Sequence, residues 1–133
     1  MDPSRTDAKG FLAGRDGLEV MSVSAFYALL GEDDDLAVEI LRQYLQSAWG
    51  AYHEAVEALN ARDGDRARSC FHRLAGASAS ICAKQVQHFS RSFEEALALN
   101  NRSLEELLAA ISDFDQAMQS LDRLIRTEIA KNL

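Results

Sequence analysis

The chain holds three histidines, His53, His72 and His88, and imidazole is the side chain whose ordinary chemistry offers a neutral nitrogen near neutral pH. His72 has the surroundings that suit such use. In the stretch 71–83, FHRLAGASASICA, a helical turn of about 100° per residue places Ala67, Cys70, Phe71, Leu74, Ser78 and Ile81 on one face. His72 then points roughly 140° from the centre of that face, toward solvent. Gly76 follows one turn later and stands beside it. Glycine costs a helix interior about 1 kcal/mol relative to alanine, so its presence in mid-pattern points to access or close packing. An exposed imidazole next to bare backbone can be approached closely and can act as a nucleophile.

Other chemistries fit less well. A metal centre in a helical bundle draws on Glu-x-x-His pairs or closely spaced Cys and His, and the chain has neither. It has no glycine-rich phosphate loop, so ATP binding is not expected. His53 and His88 flank apolar stripes and read as partly buried or surface histidines. Cys70 and Cys82 lie about 18 Å apart if on one helix, beyond disulfide reach, and read as reduced thiols in or near the core.

The elements that hold His72 follow from periodicity. Residues 1–17 mix charges with Gly10, Gly14 and Gly17 and read as a flexible lead-in, with 18–133 as the folded domain. Ser24 is expected to cap a short helix through Leu30, with Phe26, Leu29 and Leu30 on one side and Gly31 ending it. That helix would form a lid. The acidic run Glu32 to Asp35 reads as anions at a helix N-terminus rather than as a metal site. The helix it starts runs to about Asn60, with Leu41, Leu45, Ala48, Tyr52, Ala55 and Leu59 as its stripe and Tyr44 and Trp49 packing at the flanks.

Residues 61–64 break the pattern, and Asp63 or Asp65 caps the next helix, which carries His72 to about Ile81 or Cys82. A fourth helix spans about Lys84 to Leu99 with Val86, Phe89, Phe93 and Leu97 inward; Asn100 and Asn101 turn the chain. Ser103 and Glu106 form a capping box. Leu104, Leu107, Leu108, Ile111, Phe114, Met118, Leu121 and Ile125 then make the cleanest stripe. Four amphipathic helices on short turns describe an all-α protein, an antiparallel up-down-up-down four-helix bundle with a short N-terminal capping helix. Because one bundle consumes the stripes, a monomer is expected.

Composition agrees and excludes several partners. The hydrophobic 47% comes mainly from Ala and Leu, and the one proline is Pro3. A formal net charge of −7 disfavours nucleic acid. No run approaches the roughly 18 to 20 apolar residues of a membrane span, and MDPSRTDAKG lacks the apolar core of a signal peptide. The chain reads as soluble and cytoplasmic.

His72, Leu74 and Gly76, followed by Ala77, Ser78, Ala79 and Ala83, resemble the H-x-L-K-G-[SA]-[SA]…A signature of histidine-containing phosphotransfer (HPt) domains. Two positions depart from it: Ala75 stands where the family usually carries lysine, and Cys82 where it usually has a second glycine. The likeness covers roughly residues 22–128 and includes LLGEDDDLAVEIL and AKQVQHFSRSFEEAL. It implies a four-helix bundle with the active histidine exposed on the second long helix. His72 would take a phosphoryl group from a receiver-domain aspartate and pass it to another receiver domain, as a stoichiometric carrier rather than an enzyme. No cofactor is implied on this chain, since the partner brings the Mg²⁺. Receiver domains of response regulators or hybrid kinases are the implied partners; within a hybrid sensor kinase, the parent chain would be a histidine kinase.

For a phosphoryl group on His72, charge neutralisation and positioning carry the chemistry. Ala75 cannot neutralise charge. Arg68, one turn before His72 and about 40° round the helix, is the first substitute, and Arg73, roughly 100° away, is the second. Glu94 falls where the resemblance places a Gln or Glu that hydrogen-bonds the imidazole, and a solvated helix carboxylate is the other reading. The docking surface would comprise Ser69, Arg73, Ala75 and Ala79 around His72 and Gly76. Without the lysine, two alternatives stand: a degenerate HPt domain that docks without transfer, and a plain helical interaction module.

Overall fold

The computed structural model describes residues 17–133, so the lead-in expected over 1–17 lies outside the described residues except for Gly17. Among those residues there are five helices and no strand: α1 (Val23–Leu29), α2 (Asp34–Asn60), α3 (Gly64–Ser80), α4 (Lys84–Leu99) and α5 (Leu104–Lys131). None is long and apolar enough to cross a membrane.

The starts of the long helices are written locally. The Asp33 carboxylate accepts from the Leu36 N–H at 3.0 Å, and Asp34 and Asp35 place negative charge in the first turn of α2. Asp63 does the same for α3, accepting from the Arg66 N–H at 3.1 Å, which decides between the two expected caps. Ser103 and Glu106 form the expected reciprocal box at the start of α5. α1 departs from expectation. It begins at Val23 behind Ser22, not at Ser24, and Leu29 is 70% exposed, so Phe26 alone of its expected apolar face is buried. With only seven residues, α1 has one position per turn that can face inward.

The helix ends bend through left-handed backbone at Gly31, Glu32, Arg62, Cys82 and Asn100. Cys82, at φ 60°, is the informative one. Here a side chain crowds the backbone, a cost that glycine would not carry. The Cys82 carbonyl also accepts from the Ser22 N–H at 2.9 Å, tying the start of α1 to the α3–α4 turn. Replacing Cys82 with Gly and with Ala removes the thiol equally. The Gly variant is expected to be the more stable by about 1 kcal/mol, read from paired denaturant melts, and equal midpoints would refute the strain.

In the packed whole, α2 contacts α3, α3 contacts α4, α4 contacts α5, and α5 returns to α2, while α1 lies against α2. This is a helical bundle. Its centre is aromatic: the Phe114 ring lies 5.0 Å from Tyr52, 5.7 Å from Phe71 and 5.2 Å from both Phe89 and Phe93. Each of the four long helices thus contributes at least one ring to one cluster. Tyr44, expected at the flank of the α2 stripe, is instead buried, and its hydroxyl meets the buried Ser78 hydroxyl at 2.8 Å. Burial pushes the phenol up to about 12, and the pair satisfies two groups that would each cost about 1–3 kcal/mol if left alone. Trp49 packs as expected, half-buried against Tyr52 and His53, its indole N–H donating to Asp122 at 2.7 Å.

Candidate functional site

α3 and α4 are joined by only Ile81–Ala83 and pack along one another, so they run in opposite directions. The buried side of α3 is Ala67, Cys70, Phe71, Leu74, Ala75 and Ser78. His72 therefore faces outward, with 76% of its side chain exposed.

Its ring is held from the neighbouring helix. His72 Nδ1 lies 2.5 Å from Glu94 Oε2, and the Glu94 side chain is 24% exposed. A carboxylate can only accept, so the contact keeps the proton on Nδ1 and the lone pair on Nε2. The free nitrogen is then a nucleophile whose orientation is set by α4.

Beside the ring is a cavity of about 410 Å³ lined by Asp65, Arg68, Ser69, His72 and Glu94. A larger groove of about 480 Å³ lies between α2 and α5, lined by Arg42, Leu45, Arg126 and Ile129 among others. Its lining contains no nucleophilic side chain.

The arginines near His72 are not equivalent. Arg73 donates to Glu54 at 3.2 Å and to Cys70 Sγ at 3.3 Å, and Arg66 reaches the other Glu54 oxygen at 3.5 Å. The hydrogen bond from Arg73 holds the Glu54 carboxyl below the usual carboxylate range. Arg68 lines the cavity with His72 and has no ion-pair partner among the described residues. On the other side, a Cβ added at Gly76 would meet nothing within 4 Å, so this glycine marks open approach rather than close packing.

Of the expected docking residues, Ser69 and Arg73 are exposed and Ala79 is half-buried. Ala75 is not surface. It is only 4% exposed, because its position lies between the apolar face of α3 and the side covered by α4.

The Glu54 clamp escaped the sequence reading. Its signal is a register one: once α2 and α3 are folded back on each other at Ala61–Asp63, Glu54 comes level with Cys70, and Arg66 and Arg73, about one turn to either side, both reach it. No local motif reports it. His53 is exposed and stacks on Trp49 at 5.5 Å, while His88 is half-buried against Phe89 with Nε2 unpaired among the described residues.

A family model described as Hpt domain matches residues 39–125, which includes α3, α4 and most of α2 and α5. Neither the curated proteins nor the solved structures contain a match to the chain.

Proposed function

The chain belongs to the Hpt domain family, and from that membership we propose that His72 is its phosphoryl acceptor in a phosphorelay. Hpt domains are phosphocarriers that interact with receiver domains of response regulators. The observation that carries the assignment to this residue is the exposed ring with its Nδ1 bonded to Glu94 at 2.5 Å.

In the proposed step, Nε2 attacks the phosphorus of an aspartyl phosphate on the partner. The N–P bond forms as the P–O bond breaks, and the aspartate leaves with the electron pair. The Nδ1 proton stays where it is, facing Glu94, so the cationic ring is neutralised by the carboxylate. In the return step the N–P electrons go back to Nε2, which leaves as neutral imidazole while a second receiver's aspartate forms the new P–O bond. Transfer in both directions then needs no further base on this chain.

Arg68 is the cation on α3 left free to face the added phosphate, and Ser69, Arg73, Ala79 and Gly76 form the surface on which the partner rests. The Mg²⁺ needed for the partner's aspartyl phosphate belongs to the partner. A cytoplasmic setting goes with such partners. The up-down-up-down course of α2 to α5, with α1 as a lid, is part of the same reading and is supported by the cyclic contacts and the short connections.

Mixing the purified chain with a phosphorylated receiver domain tests the proposal. The expected result is rapid loss of phosphate from the receiver and appearance of acid-labile, base-stable phosphate on this chain. Binding without transfer would replace the proposal with a docking role, the reading that the missing lysine favours. Neither binding nor transfer would leave a helical interaction module.

A further inference from the structure

A phosphoryl group on His72 would bring about two negative charges, as on other phosphorylated side chains, into a place where Glu94 and Asp65 already stand. Of the three arginines on α3 near the ring, Arg66 and Arg73 are engaged by Glu54. Only Arg68 is left on this helix, on the side toward its N-terminus. On the other side are Ala75 and Gly76, which carry no charge.

The bonded pair His72–Glu94 sets the register of α3 against α4. Because the two helices run in opposite directions, counting three residues onward from His72 reaches Ala75, and counting three back from Glu94 reaches Arg91. Arg91 therefore lies opposite Ala75. It is about 60° further round α4 than Glu94, toward solvent and away from the buried face of Val86, Phe89, Ser90, Phe93 and Ala96, and about 4.5 Å along the axis. Arg91 is exposed and has no hydrogen-bond or ion-pair partner among the described residues. Its extended side chain is long enough to span one helical turn, from its own position back past Glu94 toward the ring.

We propose that Arg91 of α4 is a phosphoryl-binding residue of this site, supplying from the neighbouring helix the cation that α3 lacks at position 75 and bracketing the phosphoryl group on His72 against Arg68. This rests on the proposed role of His72. The guanidinium contacts the phosphoryl oxygens as the N–P bond forms and persists in the phosphorylated chain. It is thus not primarily a contact to the partner.

Phosphoramidate, a small donor with no docking surface, isolates the effect. With it the N–P bond to Nε2 forms, the donor's own P–N bond breaks, and ammonia leaves. Arg91→Ala is expected to slow phosphorylation of the full chain by about tenfold, the scale of one hydrogen bond to a charged group, and to shorten the life of the phosphohistidine. Arg91→Lys should keep part of the rate. Ala75→Lys added to Arg91→Ala should restore it, which a merely structural arginine would not allow.

Unchanged rate and lifetime in Arg91→Ala, with the parent chain phosphorylated on His72, would overturn this inference and leave the acceptor role intact. So would a defect seen only with a receiver domain as donor, since that would make Arg91 a docking residue. A parent chain that takes no phosphate from either donor would overturn both.

Discussion

His72→Gln is expected to take up no acid-labile, base-stable phosphate, from a phosphorylated receiver domain or from phosphoramidate, while melting within about 0.5 kcal/mol of the parent. The two halves of this result have separate causes. Glutamine's amide nitrogen has no available lone pair, so the nucleophile is lost and transfer falls to background rather than to a fraction. The fold is spared because the side chain is 76% exposed and makes its contact with Glu94 at the surface, where such pairs contribute about 0–1 kcal/mol. Label retained in the variant would move the acceptor to another group, and His53 and His88 are the only other imidazoles. Among the described residues neither has a carboxylate on a ring nitrogen; His53 stacks on Trp49, and His88 Nε2 has no partner there. Loss of both label and helical signal would instead mean that the ring had a structural role that its exposure contradicts.

The largest effect on stability is expected at Phe114. Its ring is fully buried and touches rings from all three other long helices, Tyr52 of α2, Phe71 of α3, and Phe89 and Phe93 of α4. Phe114→Ala removes the buried ring and leaves a cavity whose walls come from four helices, so collapse from one side cannot fill it. Such a change costs about 3–5 kcal/mol, a large part of the roughly 5–15 kcal/mol that holds a domain of this size together. Thermal unfolding should move down by more than about 10 °C. Phe114→Leu keeps most of the volume and should recover more than half of the loss. A drop of under about 1 kcal/mol for Phe114→Ala would show that the bundle is looser than its ring contacts imply.

These two positions also show how far a linear reading reaches. His72 and Phe114 were both placed by periodicity, one off the apolar face of its helix and one on it, and the structure puts the first outside and the second at the centre. The caps at Asp33, Asp63 and Ser103 were legible for the same reason: a cap is an interaction over three residues, and the neighbours in space are the neighbours in sequence. Periodicity sets the start of the short α1 two residues late, with Ser24 rather than Ser22 as its cap, and turns the exposed Leu29 inward. A single turn has too few positions for a period to be read.

Ala75 and Glu54 mark the boundary. An alanine three residues after His72 looks like surface on a helical wheel, because the wheel of α3 alone does not show how far round α4 wraps; with α4 in place the residue is sealed at 4% exposure. A glutamate on α2 looks like one more solvated charge until Arg66 and Arg73 arrive from α3 and are both taken by it. Spacing along each long helix dictates which faces are oily, where those helices start and that His72 looks outward. Which arginines remain free beside that histidine, which nitrogen of its ring keeps the proton, and that Arg91 lies across from Ala75 depend on how far one helix slides and turns against the next. That slide is set by side chains from distant segments meshing together, and no window along the chain contains them both.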